Sequence, residues 1–329
     1  MNTVNPTNAA DDSVPAMLAH LRSLGVDLWN QQGQLGFRAP QGVLTDALRE
    51  QLKGNRQQVL ECLAAAAPAT AGAGRAALAA DWFKCWQPRA HATQRLICLP
   101  HAGGSASFFR QWGALLPAHV ELIAVQYPGR EERINVPPIA DLWELVTAIA
   151  DALQQTPHLL QQPYLLFGHS MGSAVAYELH RMLQRRGCRL PQHLLLSACE
   201  APSRRQAESF HLASDQALMD EMVRLGGTDD AMAHLPELME LVLPVTRNDY
   251  RAIETYVPDA ARLPLAVPIT VLTGDQFHEL DLGDALAWAS ETSQRFLHRG
   301  FPGGHFYLKQ QQEGVLDVIR AALDQVSSA

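Results

Sequence analysis

The chain has 329 residues, 47% hydrophobic and 18% charged, with a formal net charge of -8, which suits a globular protein with one large core and a small appendage. An acidic balance with no Lys/Arg stripe to neutralise phosphates excludes a nucleic-acid binder. No run is long and apolar enough to span a bilayer, so no membrane partner is expected.

From the start, Met1 to Asp12 is polar, lacks the basic and apolar stretches of a signal peptide, and predicts a cytoplasmic protein. Met17, Leu18, Leu21 and Leu24 then repeat at helical spacing and stop at Gly25. Val26–Trp29 and Leu35–Arg38 read as two short strands about a turn at Gln31-Gln32-Gly33. Thr45 is a candidate N-cap for a helix carrying Leu48 and Leu52, followed by a helix with Val59, Leu60 and Leu63. Residues 13–63 therefore predict a small α+β domain. Residues 64–80 are mostly Ala broken by Gly and Pro, which predicts a flexible linker.

Residues 81–329 change rhythm. Leu96–Leu99, Val120–Val125, Tyr164–Phe167, His193–Leu196 and Ile269–Leu272 read as buried strands, with amphipathic helices such as Leu142–Leu153 and Ser173–Arg186 between them. This alternation predicts an α/β fold with a mainly parallel sheet covered by helices on both faces. Over about 203–268 the alternation gives way to helical segments rich in Leu and Met, a candidate lid. Cys62, Cys85, Cys98, Cys188 and Cys199 show neither CxxC nor metal-ligand spacing, so free thiols and no metal or bound cofactor are expected.

The chemistry concentrates at Gly168-His169-Ser170-Met171-Gly172, set between a strand and a helix. That is the nucleophile elbow of the α/β-hydrolases, with Ser170 as nucleophile. His305, in the Gly303-Gly304-His305-Phe306 loop after the last strand-like run (Arg295 to Leu297), is the candidate general base. His169 is read as structural; His91, His119 and His158 lack a comparable context. Two backbone N–H groups should hold the oxyanion, one from Met171 and one from Ala102 in the small-residue loop Pro100–Ser105.

Together with Tyr127-Pro128-Gly129-Arg130, Ser197 to Pro202 and Leu225-Gly226-Gly227-Thr228, these motifs resemble the type II thioesterases of non-ribosomal peptide and polyketide assembly lines. The resemblance covers Trp82 to the end. It implies hydrolysis of acyl or aminoacyl groups from the phosphopantetheine arm of a carrier protein, and a lid facing that carrier. Met17 to Leu63 resembles the docking domains of tubulysin synthetases through Leu21–Val26, Arg38–Gly42 and Leu44-Thr45. It implies capture of the C-terminal peptide of an upstream synthetase, by addition to the hairpin edge, and admits a homodimer.

One position departs from the family. Its Gly-Asp-x-Asp motif, whose second Asp is the triad acid, reads Gly274-Asp275-Gln276-Phe277. Asp275, Glu279 and Glu200 are the substitutes in reach. Asp275 is preferred because it keeps the order Ser, acid, His, its rival role being a cap of its own loop. Two other functions stay open: acyl transfer to an amine or hydroxyl during docked release or cyclisation, and a low-activity adaptor bound to the synthetase.

Overall fold

The computed structural model describes residues 14, 18, 21, 27–31, 34–38, 52–59, 81–206, 208–227, 236–277 and 280–327. The chain divides into two compact units, Met1–Arg75 and Ala76–Ala329. In the first, strands β1 (Asp27–Gln31) and β2 (Gln34–Arg38) form the expected antiparallel hairpin, in register from Asp27↔Arg38 to Gln31↔Gln34. Leu18, Leu21, Leu52 and Val59 are buried. The candidate cap Thr45 and the 64–80 linker lie outside the described residues.

The second unit is built on a seven-stranded sheet of order β3-β5-β4-β6-β7-β8-β9. Its strands are β3 (Phe83–Lys84), β4 (Gln94–Leu99), β5 (Val120–Val125), β6 (Tyr164–His169), β7 (His193–Ser197), β8 (Ile269–Gly274) and β9 (Phe296–Phe301). All pairings are parallel except β3 with β5. The period of two along each strand sends alternate residues to opposite faces. Ile97, Leu99, Leu166 and Leu196 pack with Val146, Ile149, Val175 and Leu179 of helices α1 (Leu142–Gln155) and α2 (Met171–Arg185). Leu96, Cys98, Leu165, Phe167 and Leu195 pack on the other face with Val315, Leu316 and Ile319 of the C-terminal helix (Gln312–Ser327). Both faces are thus covered, at about 1.5–3 kcal/mol for each fully buried aliphatic side chain.

Among the described residues, helices α3 (Asp215–Leu225) and α4 (Pro236–Glu254) interrupt the alternation between β7 and β8 where the lid is expected. Helix α3 opens on the Ser214 hydroxyl, which accepts the Ala217 N–H at 3.2 Å, and closes on left-handed Gly226. Two boundaries differ from expectation. Helix α2 starts at Met171 rather than Ser173, directly after the nucleophile candidate. The last strand runs Phe296–Phe301 instead of Arg295–Leu297; as an edge strand with mostly exposed side chains, it carries little apolar signal. Among the described residues no helix is long and apolar enough to cross a membrane.

Candidate active site

Strand β6 ends at His169, and the chain turns into α2 through Ser170, whose φ of 53° and ψ of -122° no side-chain-bearing residue adopts without strain. Neighbours hold the turn. The Ser170 N–H donates to the Ser197 carbonyl at 2.8 Å, and the Ser173 hydroxyl donates to the Gly168 carbonyl at 2.8 Å. The motif glycines are required by contact: a Cβ on Gly168 would strike the Gly172 carbonyl, and one on Gly172 would strike the Leu99 carbonyl. Ser170 therefore stands above the sheet with the N-terminus of α2 beneath it, where partial positive charge favours a developing anion.

One cavity of about 180 Å³ gathers Ser170, Met171, His101, Ala102, Gly103, Phe277, His305 and Phe306, roofed by residues of α3 and α4. The oxyanion-loop candidate from Pro100 is tightly bonded. The Gly103 N–H donates to Asp249 Oδ2 at 2.8 Å, and the Gly104 N–H donates to the His101 carbonyl at 3.0 Å. The Ala106 N–H donates to Gln126 Oε1 at 2.6 Å. Of Ala102, Gly103 and Gly104, only Ala102 keeps an N–H that no group among the described residues accepts.

Asp249 reaches this loop from α4 and is itself clamped by Arg130, whose Nη1 and Nη2 donate to its two oxygens at 2.7 and 2.9 Å. Arg130 Nη1 also donates to the Gly104 carbonyl at 2.8 Å. Both side chains are almost fully buried. Arg130 lies in a motif visible in the sequence. Asp249 does not: it sits in a helix with no local pattern, and only the fold brings it to the loop.

His305 is 7% exposed and packs in a ring of aromatics. Its imidazole centroid lies 4.5 Å from Phe277, 5.0 Å from Phe306 and 5.1 Å from His169. His169 Nδ1 is 2.9 Å from the Ser197 hydroxyl, which is 2.7 Å from the Tyr307 hydroxyl. This buried network fits the structural reading of His169. Burial, and secondarily the nearby His305, holds the His169 imidazole far below its ordinary pKa; the same causes bring His101 down to about 3. Burial thus disfavours the charged form of both rings.

The acid candidates fall in different places. Asp275 is exposed and does not line the cavity; its Oδ1 accepts the Gly303 N–H at 3.0 Å. The carboxylate thus caps the loop that carries His305, the rival role weighed for it, and Phe277 is the ring against the imidazole. Glu200 lines the cavity with its carboxylate engaged by Arg205 Nη1 at 2.6 Å. Glu279 lies outside the described residues.

Residues 94–323 match the model of the thioesterase domain, and residues 14–64 match the TubC N-terminal docking domain. The chain is 38% identical over 232 residues to the thioesterase PikA5 of Streptomyces venezuelae, covering 70% of this chain and 81% of that protein. It is 30% identical over 237 residues to the gramicidin S biosynthesis protein GrsT of Aneurinibacillus migulanus, covering 72% and 91%. Among solved structures, the type II thioesterase BorB from the borrelidin biosynthetic cluster superposes with a TM-score of 0.68 at 39% identity, covering 74% of this chain and 98% of BorB. RedJ, a thioesterase of the prodiginine pathway of Streptomyces coelicolor, gives 0.68 at 36%, covering 73% and 94%. With its sheet order, its strained serine and these relatives, the chain belongs to the thioesterase family of α/β-hydrolases, enzymes that cleave thioesters, and carries a TubC-type docking domain.

Proposed function

We propose that this protein is a type II thioesterase that works in the cytoplasm beside a non-ribosomal peptide or polyketide synthetase and frees acyl groups from the phosphopantetheine arm of a carrier protein. The observation that carries this reading is Ser170 itself: a serine with positive φ at a helix N-terminus, sharing one cavity with His305 and an oxyanion-type loop. Relatives from the gramicidin S pathway and the borrelidin cluster support the assembly-line setting.

The reaction follows from the chemistry of these groups. Ser170 attacks the thioester carbonyl while His305 takes its proton. The N–H groups of Met171 and Ala102 hold the tetrahedral oxyanion, each such donor contributing about 100- to 1000-fold in rate. The carrier thiol leaves with the proton from His305. Water, deprotonated by His305, then attacks the acyl-serine, and the free acid departs as Ser170 recovers its proton. Asp275 acts through the His305 loop by capping Gly303. Phosphopantetheine enters as part of the substrate. A cavity of about 180 Å³, smaller than the roughly 300 Å³ at the low end of ligand pockets, favours removal of short acyl groups over release of a long finished chain.

The docking unit holds a two-stranded hairpin with no further strand paired to it among the described residues, an arrangement to which an extended synthetase peptide can add as a strand. The test uses purified protein and acetyl-loaded carrier protein, following free thiol. Release that vanishes in Ser170→Ala is expected; equal release by the variant overturns the reading.

A further inference from the structure

The segment that follows β5 grips the oxyanion loop at both ends. The Tyr127 hydroxyl donates to the Pro100 carbonyl at 3.3 Å, where the loop begins. At its far end the Ala106 N–H donates to Gln126 Oε1 at 2.6 Å, and the Ser105 hydroxyl donates to Glu131 Oε1 at 2.7 Å. The second Glu131 oxygen accepts from Gln126 Nε2 at 3.0 Å, which closes a ring of bonds through Ser105, Glu131, Gln126 and Ala106.

Chemistry fixes the direction of these bonds. A backbone N–H can only donate, and a carboxylate can only accept. The fully buried Gln126 amide must therefore turn its oxygen to Ala106 and its NH2 to Glu131. Glu131 thus decides which way that amide faces, and with it whether the Ala106 N–H has an acceptor.

Glu131 does this from a strained backbone. Its φ is 48°, in the left-handed region that crowds a Cβ. In the same turn Gly129 stands at φ 85°, a glycine where only the backbone demands that region. A glutamate kept at such a cost points to a need for its side chain. Fold stability does not supply that need, because a carboxylate open to solvent and bonded to an exposed hydroxyl gains little over water. The loop it holds does, since that loop carries the Ala102 N–H.

We propose that Glu131 is a positioning residue of the oxyanion hole, fixing the far end of the loop while Asp249 and Arg130 fix its middle. The proposal rests on the thioesterase reading above. A donor displaced by a slackened loop loses less than the 100- to 1000-fold of a deleted one, so an effect of about tenfold is expected.

The test uses the full-length protein with acetyl-pantetheine as substrate. Glu131→Gly removes the side chain and relieves the strain together. It should lower kcat and kcat/KM alike by about tenfold with KM unchanged, the mark of an interaction made in the transition state, while melting no lower than wild type. Glu131→Gln, which can still accept from Ser105, should lose less. The trifluoromethyl ketone analogue of the substrate, whose adduct with Ser170 carries an oxyanion, should bind Glu131→Gly more weakly by about the same factor. Glu132→Ala, which removes the neighbouring carboxylate paired with Lys84, should match wild type throughout. Wild-type kcat in Glu131→Gly, a loss confined to KM, or an equal loss in Glu132→Ala overturns the proposal and leaves the thioesterase reading intact. If Ser170→Ala hydrolyses acetyl-pantetheine as fast as wild type, the thioesterase reading falls and takes this proposal with it.

Discussion

Asp275 and Phe277 sit two residues apart on the loop after β8 and separate two ways of running the same reaction. A carboxylate that orients the general base is worth about 10⁴-fold in the serine-protease case. One that accepts a backbone N–H keeps that bond when changed to asparagine. Asp275 Oδ1 accepts from Gly303, so Asp275→Asn should retain kcat/KM within about tenfold of wild type, far above a loss of about 10⁴. Steady-state kinetics with a soluble pantetheine thioester measures it, and a loss of thousands-fold would return Asp275 to the triad. The aromatic ring of Phe277 packs against the His305 imidazole and itself supplies no charge.

At the scale of elements, the contact between α4 and the Pro100–Ala106 loop ties the roof of the cavity to its chemistry. Asp249 consumes the Gly103 N–H, and Arg130 holds both Asp249 and the Gly104 carbonyl. Asp249→Leu leaves a buried guanidinium without its partner and should destabilise the protein by about 3–5 kcal/mol. Adding Arg130→Met should restore most of that loss, as measured by urea unfolding, while kcat stays depressed because the loop is no longer held. Equal kcat in the double variant and wild type would show that the clamp serves stability alone.

The readability of these elements in the sequence follows from their burial. The central strands are apolar on both faces and announce themselves; β9, half exposed at the edge, and β3, two residues long, do not. Ser170, its flanking glycines and the Ala102 loop were legible because elbow and oxyanion geometry demand particular residues at fixed spacing. Asp249 was not, since it reaches the loop from about 145 residues away through the packing of a helix whose own pattern only says amphipathic. The role of Asp275 was not legible for a related reason: spacing places a carboxylate near the strand end but says nothing about which N–H it meets.

For the molecule as a whole, buried histidines set the acid limit. Burial brings His101 down to about 3 and His180 and His193 to about 4, and holds His169 far below its ordinary 6.5. Below pH 6.5 the unfolded chain takes up protons that the folded chain refuses, so stability present at neutral pH is lost as pH falls toward 4. The raised carboxyls of Glu178 and Glu208 act in the opposite sense and offset part of this. The melting temperature should drop steadily from pH 7 to pH 4.5, and a flat profile would contradict the burial of these rings as neutral groups. The two-unit organisation leads to a separate expectation. Deleting residues 1–75 should leave hydrolysis of a free pantetheine thioester within about twofold, while slowing turnover on the cognate synthetase at low concentration, where tethering raises effective concentration.

The central claim is that Ser170 carries the acyl group between carrier thiol and water. Rapid quenching of the enzyme with acetyl-loaded carrier protein, followed by intact-mass and peptide mass spectrometry, tests it directly. An acetyl increment on the peptide containing Ser170, formed as thiol is released and absent in Ser170→Ala, is the predicted result. Undiminished thiol release by Ser170→Ala, or an acetyl increment on another side chain, would contradict it.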